Sequence, residues 1–140
     1  MLRLAEVFLD TSYAVALSAP SDAYHAKAVE VAKQVILDNT RVVTTRAVLL
    51  EIGNSLGRQR YRSTAVALLE TLEQDPYCET IPMSEELYAR AFQLYSTRPD
   101  KEWGLIDCVS FIVMQDRKLS AALTADEHFI QAGFSALLRE

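Results

Sequence analysis

Four carboxylates in this chain, Asp10, Glu51, Asp107 and Asp126, stand in contexts that suit chemistry. Asp10 closes the apolar run Val7-Phe8-Leu9 and is followed by two hydroxyls, Thr11 and Ser12. Asp126 closes a similar run, Ala122-Leu123-Thr124-Ala125. Asp107 stands near the start of the apolar stretch Leu105 to Met114, and Glu51 shares a helical face with Asn54, three residues on. Each acid also has an ordinary structural use. Asp10 and Asp126 suit helix caps, Asp107 suits the positive first turn of a helix, and Glu51 suits a solvated helix face. Brought together, the four would repel one another and need a cation. Oxygen ligands that leave room for water suit Mg²⁺ or Mn²⁺. Such ions polarise a phosphoryl oxygen and generate hydroxide at neutral pH. The chemistry four such groups would support is phosphodiester hydrolysis.

Whether they meet depends on the elements that carry them. Val7 to Leu9 reads as a strand buried on both faces. A short helix over Tyr13 to Leu17 follows, then a helix from Asp22 to about Asp38 in which Ala26, Val29, Ala32, Val35 and Ile36 recur at helical spacing. Val42 to Thr44 reads as a second strand, with Thr45 capping the helix that carries Glu51. Helix from Ser63 to Glu73, strand from Tyr77 to Ile81 and helix from Ser84 to about Tyr95 come next. A polar loop from Ser96 to Gly104 leads into the Asp107 helix. Ser120 to Leu123 is a fourth strand, a short helix through Phe129 and Ile130 stops at Gly133, and Phe134 to Leu138 reads as a fifth strand. Alternating strands and helices imply an α/β fold, a parallel sheet of about five strands flanked by helices in three layers. Right-handed crossovers put all strand carboxyl ends on one edge, where open α/β sheets bind ligands. Asp10, Glu51 and Asp126 fall there directly. Asp107 joins them if the loop from Ser96 carries the start of its helix across to that edge.

The bulk numbers set limits. With 140 residues, half of them hydrophobic, the chain reads as one globular domain over 1–140. No apolar run approaches the ~18 residues of a membrane helix, so the expected setting is cytoplasmic with no membrane partner. Cys78 and Cys108 lack metal-ligand spacing and read as free, partly buried thiols. The net charge of −5 and pI near 5.1 disfavour a simple nucleic-acid binder, less so if the acids gather around bound cations. His25 and His128 have no evident partners, and His128 reads as a surface or satisfied residue rather than a ligand.

Phe8-Leu9-Asp10-Thr11-Ser12, the Glu51-x-x-Asn54 helix, Trp103-Gly104-Leu105-Ile106-Asp107-Cys108-Val109-Ser110-Phe111, and Leu123-Thr124-Ala125-Asp126-Glu127-His128-Phe129 through Gly133-Phe134 together resemble the PIN-domain ribonucleases, most of all the VapC-type toxins of toxin–antitoxin pairs. The resemblance spans nearly the whole chain. It implies a single PIN domain whose acidic quartet is Asp10, Glu51, Asp107 and Asp126, acting as metal ligands and catalytic groups. Thr11, Ser12 or Thr124 would supply a supporting hydroxyl and Asn54 a supporting amide. It implies a divalent-metal-dependent endoribonuclease of a type II toxin–antitoxin system, using Mg²⁺ or Mn²⁺, with RNA as substrate, a cognate antitoxin as partner and a homodimer as assembly. Ile106 departs from the family, where related sequences often carry Thr.

Arg58, Arg60 and Arg62, with Tyr61 among them, form the densest basic patch and read either as a phosphate track with a stacking ring or as a solvated helix junction. Arg46 opens the Glu51 helix. Lys101 and Trp103 lie in the loop before Asp107, where Trp103 suits either a lip over substrate or a core anchor. A haloacid-dehalogenase-type phosphatase would want a second Asp where Ser12 stands. A receiver module would want an acidic pair beside Asp10. A non-catalytic PIN-like protein that binds RNA or an antitoxin is the remaining alternative.

Overall fold

The computed structural model describes residues 4–140. Its elements in chain order are β1 (Glu6–Leu9), α1 (Thr11–Ser18), α2 (His25–Leu37), β2 (Arg41–Thr45), α3 (Arg46–Ser55), α4 (Gln59–Gln74), β3 (Cys78–Ile81), α5 (Glu85–Thr97), α6 (Leu105–Asp116), β4 (Ala121–Leu123), α7 (Glu127–Gln131) and β5 (Ser135–Ala136), closed by a 3₁₀ turn at Leu137–Arg139. The five strands form one parallel sheet in the order β3-β2-β1-β4-β5. The chain therefore builds outward from β1 to β3, then returns to lay β4 on the other side of β1. That reversal is the topological switch point, and the crevice between the carboxyl ends of β1 and β4 is where such sheets hold ligands.

Several boundaries differ from the expected ones for local reasons. Helix α2 starts at His25 rather than Asp22, because the Asp22 carboxylate accepts the Tyr24 N–H at 2.8 Å and makes a turn instead. Helix α4 starts at Gln59, so Tyr61 and Arg62 lie in its first turns. The guanidinium of Arg62 donates to the Gly57 carbonyl at 2.7 Å and closes the junction with α3. The fifth strand is only Ser135–Ala136 before the chain tightens into the 3₁₀ turn. Thr45 and Ser84 cap α3 and α5 as expected, accepting from Val48 and Leu87.

The core centres on the buried rings of Phe8, Phe111 and Phe129. Phe111 meets Phe129 and Trp103 edge-on, each with centroids 5.0 Å apart, and Phe129 lies 6.3 Å from Phe8. These contacts tie three separate elements together: β1 just before Asp10, α6 one turn after Asp107, and α7 one turn after Asp126. Edge-to-face ring pairs contribute ~0.5–1.5 kcal/mol beyond their buried area. The aromatic cluster thus fixes the relative position of three of the four acids. Cys78 and Cys108 are free. Among the described residues no helix is long and apolar enough to cross a membrane.

Candidate active site

At the crevice between β1 and β4 lies an open cleft of about 560 Å³, lined by Asp10, Glu51, Asp107, Asp126 and His128. All four sequence-predicted acids meet there. Asp107 reaches the same edge because the Arg98–Gly104 loop carries the start of α6 to it, and the helix then runs back towards Arg117.

Asp10 is the most deeply placed, 5% exposed. Its Oδ2 accepts from Thr124 Oγ1 at 2.7 Å and Ser12 Oγ at 3.1 Å. The Thr124 hydroxyl also accepts the Asp126 N–H at 3.0 Å. Ser12 Oγ lies 2.9 Å from Thr124 Oγ1 and accepts the Ala125 N–H at 2.9 Å. Two hydroxyls therefore bind the ends of β1 and β4 to each other and hold Asp10 and Asp126 in register. Thr11 donates to Glu51 Oε1 and holds the glutamate against the start of α1.

Asp107 Oδ2 accepts the Gly104 N–H at 3.1 Å and lies 2.9 Å from His128 Nδ1. The same ring nitrogen is 3.4 Å from Asp126 Oδ1. Asp126 also caps α7 by accepting the His128 N–H at 2.8 Å. The capping reading of Asp126 is correct, and so is its placement in the acidic cluster.

Electrostatics sets this cluster apart. Burial pushes the Asp10 carboxyl up to about 6, against the hydrogen bonds it accepts from Thr124 and Ser12, and the nearby Asp107 charge pushes the same way. Asp107 is also raised, first by burial and then by the Asp126 charge, despite its bonds to His128 and the Gly104 N–H. The His128 ring is shifted upward. Burial opposes its charging, but the bond to Asp107 and the charges of Asp126, Asp107 and Glu127 outweigh that. Among the described residues no Lys or Arg forms an ion pair with any of the four acids. Asp107, Asp126 and His128 offer ligand atoms all within 4.8 Å of one another. This cluster fits a divalent cation: oxygens from several acids, two of whose carboxyls are raised by burial and by a neighbouring acid, with the His128 ring bonded to Asp107.

The PIN domain profile matches residues 7–135. The chain belongs to the PIN-domain family. This PIN domain is 28% identical over 130 residues to the 23S rRNA-specific endonuclease VapC20 of Mycobacterium tuberculosis, covering 91% of this chain and 95% of the relative. It is similar to the crystal structure of VapC20, described as a Sarcin-Ricin loop cleaving toxin, with a TM-score of 0.80 at 26% identity over the same shares. The FitAcB structure from Neisseria gonorrhoeae has a TM-score of 0.65 at 20% identity, covering 93% of this chain and 94% of that one, and shares the fold.

The secondary expectations divide. Thr11, Ser12 and Thr124 take part in the hydroxyl contacts, and Ile106 lines the cleft. Asn54 is exposed and does not line the cleft; Ser55, one turn after Glu51, does. Positions i+3 and i+4 lie on opposite sides of Glu51 on the helix, and the cleft is on the Ser55 side. None of Arg46, Arg58, Arg60, Arg62, Lys101 and Trp103 lines the cleft. Arg46 is paired with Glu73. Arg60 lies over the Tyr61 ring at 4.6 Å. Trp103 is a core anchor rather than a lip: it is buried, and its Nε1–H donates to Gln131 Oε1 at 3.1 Å.

His128 is a satisfied residue, as expected, but its partners are Asp107 and Asp126 in the cleft, which the sequence did not reveal. It lacks a partner in the sequence because Asp107 is far away along the chain. The available signal was local: it stands two residues after a strand-end Asp at the start of a helix, so its side chain turns back towards that edge.

Proposed function

We propose that this PIN domain is a divalent-metal-dependent endoribonuclease and the toxin of a type II toxin–antitoxin pair. The observation that carries the reading is the convergence of Asp10, Glu51, Asp107 and Asp126 on one cleft with no Lys or Arg ion-paired to any of them among the described residues. Family membership and the likeness to VapC20 point the same way.

Asp10, Asp107 and Asp126 would hold the ion, Mg²⁺ or Mn²⁺, with Glu51 as a further ligand or as the group that orients the attacking water. When bound, the ion supplies Lewis-acid chemistry, drawing charge from a phosphoryl oxygen and acidifying water. The chain's own groups do the rest. Thr124 and Ser12 keep Asp10 in place through hydrogen bonds to Oδ2. Thr11 orients Glu51. His128 holds Asp107 by its Nδ1, the usual way an outer group fixes a ligating carboxylate. The RNA would be ribosomal, cut in an exposed loop, since the similar VapC20 is a 23S rRNA-specific endonuclease described as a Sarcin-Ricin loop cleaving toxin. The expected partners are an antitoxin and a second copy of the chain, in the cytoplasm.

The test is RNA cleavage by the purified chain with Mg²⁺ or Mn²⁺ titrated in, beside EDTA. Metal-dependent strand scission that disappears in EDTA is expected. Scission that continues in EDTA defeats the metal reading. Tight RNA binding without scission at any metal concentration favours the non-catalytic alternative.

A further inference from the structure

The basic residues singled out in the sequence lie away from the cleft, so the acidic site lacks an obvious group to receive the substrate backbone. One cation does border it. Arg139, in the closing 3₁₀ turn, donates from Nη1 to the Ala125 carbonyl at 3.0 Å and to the Tyr24 hydroxyl at 3.3 Å. Ala125 and Tyr24 both line the cleft, and Ala125 directly precedes Asp126.

Three features suit Arg139 to that role. First, neither partner of its guanidinium is a carboxylate, whereas Arg46, Arg90, Arg98 and Arg117 are each paired with one. Among the described residues no carboxylate forms an ion pair with it. Second, only Nη1 makes these two contacts, so Nη2 and Nε keep donors for a planar, bidentate partner. Third, the turn that carries it is fastened down. Leu137 and Leu138 are buried, and the Leu138 N–H donates to the Thr124 carbonyl at 3.1 Å. The guanidinium thus extends from the same strand end that presents Thr124 and Asp126, while Arg139 itself is exposed.

We infer that Arg139 and Tyr24 form the substrate-receiving rim of the site: Arg139 takes a backbone phosphate of single-stranded RNA next to the scissile bond, and the half-buried Tyr24 ring offers a face to an adjacent base. This rests on the ribonuclease reading above. The chemistry is consistent with an overall acidic chain. One fixed, unpaired guanidinium beside four carboxylates supplies positive charge where the backbone must approach, and the ring face adds sequence-tolerant stacking of ~1–3 kcal/mol. Arg is the suitable cation because its fork matches two phosphate oxygens and stays charged.

The experiment uses the full chain and a fluorescently labelled single-stranded RNA oligonucleotide. Anisotropy in EDTA gives Kd across a range of salt concentrations, and cleavage with saturating Mn²⁺ gives kcat and KM. Arg139→Gln is expected to weaken binding roughly 10–100-fold, in line with loss of a charged hydrogen bond. It is expected to flatten the plot of log Kd against log salt by about 0.7, the contribution of one phosphate contact on a single strand. KM should rise with kcat within about twofold and the Tm unchanged. Arg139→Lys, which keeps the charge but loses the fork, should retain the salt slope and recover part of the affinity. An unchanged Kd and slope overturn the inference. So does a fall in kcat or in Mn²⁺ affinity with the salt slope intact, because Arg139 would then act by positioning Asp126 through the Ala125 carbonyl. Wild-type protein that binds RNA with the predicted Arg139 dependence but never cleaves it leaves this rim standing and removes the nuclease reading.

Discussion

The two ends of helix α6 treat negative charge in opposite ways. At its far end Arg117 clamps Glu79 through both guanidinium arms, at 3.0 and 2.8 Å, and also lies 3.7 Å from Glu6. The pair holds Glu79 below the usual carboxylate range, chiefly through the Arg117 hydrogen bonds. At its near end Asp107 faces the charges of Asp10 and Asp126, with a histidine only between it and Asp126, and burial and mutual repulsion raise Asp10 and Asp107. One helix thus joins a site where an arginine pairs directly with the acids to a site where, among the described residues, no Lys or Arg does. The first arrangement is what folding alone selects. The second is disfavoured in the bare protein and makes sense when a cation from outside completes it.

The sharpest way to break the contrast is to remove an acid from the uncompensated end. Asp107→Asn should reduce metal-dependent RNA cleavage more than about 100-fold, beyond the 10–100-fold typical of outer-shell losses. Circular dichroism and Tm should stay near wild type. Comparable cleavage would mean that the cluster is not the reacting site.

His128→Ala should weaken Mn²⁺ binding by about 10–100-fold in calorimetry, since Asp107 then loses the group that orients it. Unchanged metal affinity would reduce His128 to a helix-start residue.

Asp10→Asn should stabilise the metal-free protein at pH 8 by on the order of 2 kcal/mol in urea unfolding, while ending activity. The sign follows from the shift. A carboxyl raised from 3.8 to about 6 holds its proton more tightly folded than unfolded, so metal-free stability falls as pH rises through that window and stays lower above it. The variant should lose that dependence, and saturating divalent ion should restore wild-type stability at pH 8. A metal-free Asp10 protein with flat stability from pH 4 to 8 would contradict the burial argument.

At the compensated end, Arg117→Ala should cost only about 1 kcal/mol, because the pair is partly exposed and screened. Cleavage should be unaffected. Lost activity there would mean that the two ends of α6 are coupled.

The frame of the site was legible in the sequence because its evidence is local. Apolar runs ending in Asp announced β1 and β4, hydroxyls announced the caps of α3 and α5, and alternation announced a parallel sheet whose carboxyl ends share an edge. Asp10 and Asp126 followed directly. Partners from other elements were not legible. His128 reaches Asp107 across 21 residues, and Arg139 reaches Tyr24 across 115. Charge density along the chain did not mark the cleft for the same reason: Arg58, Arg60 and Arg62 stand close together in sequence at the start of α4, and none of them lines it. Trp103 followed a polar loop and so suited a lip, yet its neighbours are Phe111 and Gln131, which only packing supplies.

By itself, then, the sequence determined which residue types end the strands, and therefore that carboxylates would crowd one edge of a parallel sheet, because strand direction and crossover hand leave few other choices. Only the tertiary structure decided how close those carboxylates come and what holds them. The interlocked rings of Phe8, Phe111 and Phe129, the Thr124 and Ser12 hydroxyls, and the histidine between Asp107 and Asp126 are all contacts between distant segments. Their geometry arises when the core closes, since packing to crystal-like density leaves each side chain few positions to occupy.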